Sequence, residues 1–358
     1  MPRVEPPKEC HFIVSYRTDT GVCPYSNGVK MREVGANPHI HPVFPFTNSM
    51  KIPKNLRLFG GSVPRVLIFL LLLLVSCVPA AAMPRTEAGS ALYILSNLNG
   101  LDGAQRLEGM AYGEHPRQKL DVYLPTGSRA KSKGIVIFGY GGGYRDGNRD
   151  EYRFVGQVFA SLGLVTVIYD YRLYPEVHFP TYLEDAALAV RWVFENAAKY
   201  GADKYAMILA GHSAGAHIAA LLATNPVHLE MVGLQPRIFN LVLCLGGGYD
   251  FWDAQTGFIS PDIAEVMQGA KPKATQPLEF LSAFVPPMLL MHGTTDQMLP
   301  VNQARTFAAR AKTIGADVTL LEYNTDHAST VIDLSLPLRF RSTQYDDLVA
   351  QLKARGFL

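Results

Sequence analysis

From Leu92 to the C-terminus the chain repeats one pattern: a short apolar run, a polar connection, then an amphipathic segment of helical period. Gly134-Ile135-Val136-Ile137-Phe138 and Leu164-Val165-Thr166-Val167-Ile168-Tyr169 are apolar almost without interruption. A strand with one face in water alternates, whereas a continuous run fits a strand covered on both faces, as in a parallel sheet flanked by helices. Tyr205-Ala206-Met207-Ile208-Leu209, Leu241-Val242-Leu243-Cys244-Leu245, Pro287-Met288-Leu289-Leu290-Met291 and Val318-Thr319-Leu320-Leu321 extend the series. Leu120-Asp121-Val122-Tyr123-Leu124 alternates instead and predicts a strand with one buried face. Helical stretches are expected at Tyr182 to Tyr200, Ala214 to Ala223, Val301 to Ile314 and near Tyr345 to Arg355. The fold class that follows is α/β: a mostly parallel, doubly wound central sheet with helices on both faces. In such sheets reactive groups collect at the carboxyl ends of the strands. Each candidate residue can therefore be tested by asking whether it follows a strand.

Ser213 passes that test. Gly211-His212-Ser213-Ala214-Gly215 follows the run ending at Leu209 and opens a helix through Ala216-His217-Ile218. This is a GxSxG nucleophile elbow in its required strand–turn–helix setting. The turn strains the serine backbone, the flanking glycines avoid clashes, and the helix N-terminus aims free N–H groups at the hydroxyl. A purely structural serine is the alternative, and the setting argues against it.

His327, in Glu322-Tyr323-Asn324-Thr325-Asp326-His327, follows the last strand, and Asp296, in His292-Gly293-Thr294-Thr295-Asp296, follows the strand before it. The order Ser213, Asp296, His327 is that of an α/β-hydrolase. The imidazole would take the hydroxyl proton and return it to the leaving group, while the carboxylate fixes its tautomer. Asp326 adjoins His327, but neighbours on an extended loop point apart, so a supporting role is expected there. Asp250 and Asp253 follow the strand ending near Leu245 and are alternative acids. His212, His217 and His292 are expected to be packing residues.

Gly139-Tyr140-Gly141-Gly142-Gly143-Tyr144 follows the strand Ile135–Phe138. Three glycines in a row expose bare N–H groups where a carbonyl oxygen turns negative during acyl transfer. Gly141, Gly142 and Ala214 are the expected oxyanion-hole donors. A phosphate-binding loop is the competing reading, but no P-loop lysine follows and the dinucleotide spacing is unconvincing.

These segments, with Tyr112-Gly113-Glu114-His115-Pro116-Arg117-Gln118-Lys119-Leu120-Asp121-Val122-Tyr123 and Asp170-Tyr171-Arg172-Leu173-Tyr174-Pro175-Glu176, run in order from about Leu92 to the C-terminus. Together they resemble the bacterial esterase/lipase branch of the α/β-hydrolases related to hormone-sensitive lipase, especially its feruloyl-esterase-like subgroup. The resemblance implies a carboxylic ester hydrolase working through an acyl-enzyme on a small-molecule ester, without metal or cofactor. It implies a structural polar cluster of Arg172, Glu176 and Asp185. Where most of the wider group carries histidine this chain has Tyr140, which is expected to brace the glycine loop in its place. The segment from Phe251 to Phe280 is expected to contribute to a lid or acyl pocket. An aryl formamidase or other amidase and a carbohydrate-ester deacylase use the same triad and stay open. A non-catalytic binding protein on this fold would need a broken triad, and all three members are present.

The first ninety-one residues read mostly as an address. Val66-Leu67-Ile68-Phe69-Leu70-Leu71-Leu72-Leu73-Leu74-Val75 follows Lys51, Lys54, Arg57 and Arg65 with no acidic residue among them. The run is short for a bilayer span of about 20 residues and matches the core of a signal peptide. Met50 is its natural start, so 1–49 are expected to be upstream sequence from a misplaced start codon. His39 and His41 lie there with nothing regular around them, and no metal site is expected. Leu74-Val75-Ser76-Cys77 resembles a lipobox, making 50–76 a lipoprotein signal, Cys77 the lipidated residue, 77–91 a tether and 92–358 the catalytic domain. Cleavage after Ala80-Ala81-Ala82, giving a secreted protein, is the alternative, and a single uncleaved membrane anchor comes third. A lipid anchor would place the domain at the periplasmic or cell-surface side, at an outer membrane since Val78 is not aspartate. The four cysteines, Cys10, Cys23, Cys77 and Cys244, form no CxxC pair and no disulfide framework. A formal charge of +2 without charged blocks gives no case for nucleic-acid binding. Oligomeric state is not legible from the sequence.

Overall fold

The apolar runs do form strands, buried on both faces except at the sheet's edge, where Val318–Leu321 is only half-buried. The computed structural model describes Leu92 and residues 104–127, 134–253, 257–258 and 260–358, with only the backbone at 253, 257 and 258. The proposed leader, Cys77, the tether and the cysteines before them lie outside the described residues. Eight strands make one sheet: β1 Ala104–Ala111, β2 Lys119–Pro125, β3 Ile135–Gly139, β4 Val165–Tyr169, β5 Met207–His212, β6 Phe239–Leu245, β7 Met288–Gly293 and β8 Val318–Tyr323. Their spatial order is β1-β2-β4-β3-β5-β6-β7-β8. From β4 to β8 every pairing is parallel, while β1–β2 and β2–β4 are antiparallel. Helices α1 Arg153–Ser161, α2 Thr181–Asn196, α3 Ala214–Thr224, α4 Asn302–Ile314 and α5 Gln344–Ala354 connect or follow the strands. This is the α/β-hydrolase fold.

All residues of β3, β4, β5 and β7 are buried, so each Val, Leu or Ile there contributes roughly 1.5–3 kcal/mol of apolar burial. The chain runs from β3 outward to β4, then returns to place β5 on the other side of β3. That reversal opens a crevice at the carboxyl ends of β3 and β5, where ligands collect in open α/β sheets. The glycine loop leaves β3 there and the serine elbow leaves β5.

Three expectations change. Strand β2 does not alternate, because Asp121 is fully buried instead of facing water. Arg106 reaches Asp121 Oδ2 at 2.5 Å, Arg149 reaches Oδ1 at 2.9 Å, and the Gly109 N–H donates to Oδ1 at 2.7 Å. A buried carboxylate held this way is satisfied rather than exposed. The helix expected to end at Tyr200 stops at Asn196 and tightens into a 3₁₀ turn, Ala197–Tyr200, closed by the left-handed Gly201. Arg172 and Asp185 do pair, with Gln118 as a third member, but Glu176 instead meets His115 at the surface, 2.7 Å away.

Candidate active site

The elbow is as tight as its glycines demand. Ser213 has φ 53° and ψ −119°, a region L-residues rarely adopt, and its N–H donates to the Leu245 carbonyl at 2.9 Å. A Cβ on Gly211 would lie 2.3 Å from the carbonyl of Gly215, and one on Gly215 would lie 2.0 Å from that of Gly139. Only glycine allows strand, turn and helix to approach so closely.

The loop after β8 brings His327 to the elbow. Its Nε2 lies 2.7 Å from Ser213 Oγ, and its Nδ1 lies 2.7 Å from Asp296 Oδ2. A carboxylate only accepts, so Nδ1 carries the proton and the Nε2 lone pair faces the serine hydroxyl. Asp296 is further fixed by N–H groups of Met298 and Leu299 on Oδ1, at 2.9 and 2.8 Å. His292 Nε2 approaches Oδ2 at 3.4 Å while donating to the Leu299 carbonyl at 2.8 Å. Burial pushes the Asp296 carboxyl up, but these hydrogen bonds from His292, His327 and Leu299 outweigh it and hold the group well below the usual carboxylate range. Asp296 therefore stays charged opposite the imidazole.

Two of the competing acids, Asp326 and Asp250, accept backbone N–H groups. Asp326 Oδ1 accepts the Ser329 N–H at 2.8 Å and caps the turn after His327. Asp250 accepts the Trp252 N–H at 3.4 Å, and the Asp253 side chain lies outside the described residues.

One oxyanion-hole expectation is corrected. The Gly141 N–H donates to the Tyr152 hydroxyl at 3.3 Å, so it is not a free donor. Among the described residues, no protein acceptor takes the N–H of Gly142, Gly143 or Ala214. Gly142 and Gly143 have φ of 133° and 60°, which glycine permits, and all three residues line the same cavity as Ser213 and His327.

Tyr140 braces this loop as the sequence suggested. Its ring stacks on Tyr171 at 4.7 Å, and its hydroxyl accepts from Arg117 at 2.7 Å. Arg117 also donates to the Gly147 and Tyr171 carbonyls, tying both sides of the loop together. At the far side Arg145 reaches Glu265 at 2.5 Å and lies over the Tyr174 ring, fastening the loop to the short helix Pro261–Val266.

The cavity measures about 450 Å³, within the size range of small-molecule sites. From the segment expected to form an acyl pocket, Phe251, Ser260, Asp262 and Ile263 reach it, and Met298 and Leu299 add apolar wall beside the acid loop. Tyr152, His212 and His292 are polar participants that local sequence does not reveal. Tyr152 lies 60 positions from His212, and no local pattern signals that contact.

A buried hydroxyl against an imidazole that is held by a carboxylate, beside unpaired N–H groups, is an arrangement for acyl transfer. The BD-FAE family model matches residues 120–311, more than half of the chain. The chain belongs to the BD-FAE family. The matched span includes Ser213 and Asp296, and His327 follows it. Among curated relatives, the Arabidopsis thaliana isoprenylcysteine alpha-carbonyl methylesterase ICME is 27% identical over 266 residues, covering 68% of this chain and 61% of its own length. Esterase LipC of Mycobacterium tuberculosis is 29% identical over 219 residues, covering 57% of this chain and 54% of its own. The chain thus spans less than two thirds of either relative. The apo form of Thermogutta terrifontis esterase 2 superposes with TM-score 0.60 at 25% identity, covering 72% of this chain and 97% of that one.

Proposed function

We propose that this BD-FAE chain is a serine hydrolase of carboxylic esters that acts through an acyl-enzyme. The observation that carries the reading is the continuous hydrogen-bonded line from Ser213 through His327 to Asp296 at a small-molecule-sized cavity. His327 Nε2 accepts the hydroxyl proton as Ser213 Oγ bonds to the ester carbon. The carbonyl oxygen, now negative, is received by N–H groups of Gly142 and Ala214, with Gly143 replacing Gly141. Each such donor contributes about 2.7–4 kcal/mol to the transition state. The imidazolium then protonates the leaving alcohol, and water repeats the sequence to release the acid.

Purified protein is expected to hydrolyse short p-nitrophenyl esters, and Ser213→Ala to lose several orders of magnitude, up to about 10⁶. Near-normal turnover by Ser213→Ala, prepared free of host esterases, would refute the assignment. A panel of aryl esters, acetylated sugars, N-formyl amides and isoprenylcysteine methyl esters then ranks the substrate classes.

We also propose that the domain is exported from Met50 and held to a membrane by a lipid on Cys77. The basic residues after Met50, the apolar run and Leu74-Val75-Ser76-Cys77 support this. Each buried CH₂ of the acyl chains adds about 0.8 kcal/mol of anchoring. Intact mass of protein from its native host should begin at a lipidated Cys77. A soluble product starting at Met83, or one retaining 1–49, would contradict it.

A further inference from the structure

Four residues from different parts of the chain form a directional relay beside the serine. His212 Nε2 lies 3.2 Å from the His327 carbonyl, Tyr152 Oη lies 3.0 Å from His212 Nδ1, and the Gly141 N–H reaches Tyr152 Oη at 3.3 Å. The protons have one consistent assignment. A carbonyl only accepts, so His212 Nε2 carries the hydrogen and Nδ1 is left as an acceptor. Tyr152 must then donate to Nδ1, which leaves its oxygen lone pair for the Gly141 N–H. The relay thus runs from the glycine loop after β3 to the loop of the base after β8.

We propose that Tyr152 and His212 are a positioning pair that sets the glycine-loop donors and His327 in register with one another; this rests on reading Ser213 and His327 as the reacting pair. Gly141 is the residue before Gly142, so fixing its peptide orients the donors that follow. The His327 carbonyl is also held by Thr330 Oγ1 at 2.6 Å, so the backbone of the base is clamped from two sides. The fit is close: a Cβ on Gly141 would lie 2.9 Å from His212 Nδ1 and 3.1 Å from Tyr152 Oη. Simple packing does not require the hydroxyl, since the Tyr152 ring already packs on Phe138 and Tyr140. The His212 ring lies 5.1 Å from that of His327, centroid to centroid. Burial lowers the His212 pKa to about 3, so it keeps its single neutral tautomer while His327 carries the transferred proton.

Tyr152→Phe removes the hydroxyl and keeps the ring, while His212→Gln keeps an N–H for the His327 carbonyl but loses the Nδ1 acceptor. Both variants, the double variant and Ser213→Ala are assayed for kcat, KM, Tm and the Ki of an alkyl boronic acid, which forms a tetrahedral serine adduct. Tyr152→Phe is expected to lower kcat about tenfold and raise that Ki similarly, with KM within about twofold. The double variant should be no worse than the poorer single one, because both break the same relay. Wild-type kcat and Ki in Tyr152→Phe, with Ser213→Ala inactive, would overturn the pair alone. Losses that multiply, or that follow Tm while boronate affinity is unchanged, would make the role merely structural and overturn it too. An active Ser213→Ala would overturn instead the serine-hydrolase reading beneath it.

Discussion

Two aspartates stand near His327, and their partners separate their roles. Asp296 spends one oxygen on the imidazole and the other on the Met298 and Leu299 N–H groups, so it can neither rotate away nor readily take a proton. Among the described residues, Asp326 holds one backbone N–H, that of Ser329. Asp296→Asn is therefore expected to lower kcat by about 10³–10⁴, because an amide no longer enforces the imidazole tautomer. Asp326→Asn keeps an acceptor for Ser329 and should stay within about threefold of wild type, the loss of one modest cap. Steady-state kinetics on one ester checks both. A larger loss in the Asp326 variant would mean the wrong acid has been named.

Among the elements, the glycine loop after β3 is held from outside by Tyr171 and Arg117. Tyr140 is sandwiched by Tyr171 and Tyr152 and held by Arg117. Tyr140→Phe leaves an Arg117 N–H without its buried acceptor and should destabilise the fold by about 1.5–3 kcal/mol. Tyr140→Ala also removes the ring and should cost about 3–5 kcal/mol, with a larger fall in kcat. Denaturant unfolding and kinetics test this, and wild-type values in both variants would remove the brace. The loop and the strand-end positions of Ser213, Asp296 and His327 were legible because buried parallel strands read as apolar runs and glycines mark the turns. Edge strand β1 was not: its residues are mostly part-exposed, so Ala104–Ala111 carries no continuous apolar run. Helix α1 is only nine residues long and escaped for want of repeats of its period. The buried state of Asp121 and the diversion of Gly141 to Tyr152 were illegible for another reason. Each depends on partners such as Arg149 and Tyr152, which only the folded chain brings near.

Over the described part of the molecule, buried histidines link stability to pH, most strongly His212 and His217. Burial lowers His212 to about 3 and His217 to about 4, from an ordinary 6.5. His217 is held neutral between the Tyr144 hydroxyl and the Thr275 carbonyl, at 2.7 and 2.8 Å. In the unfolded chain each histidine takes a proton below its ordinary pKa, whereas in the folded chain it does not. The stability they contribute is complete above about pH 6.5 and is lost as pH falls, toward about 4 for His217 and about 3 for His212. His217→Gln should bind about one proton fewer on unfolding near pH 5, a slope shallower by about 1.4 kcal/mol per pH unit. Urea unfolding between pH 7 and 5 measures it, and an unchanged slope would contradict the assignment.

The central claim is that Ser213 carries the acyl group during turnover. Peptide mapping by mass spectrometry after rapid acid quench, with a slowly deacylated activated ester as substrate, reads this out. The account expects the acyl mass on Ser213, accumulating at the rate of the initial burst, and absent from both Ser213→Ala and His327→Ala protein. An acyl group on another residue, or full ester turnover with Ser213 unmodified and dispensable, would contradict it.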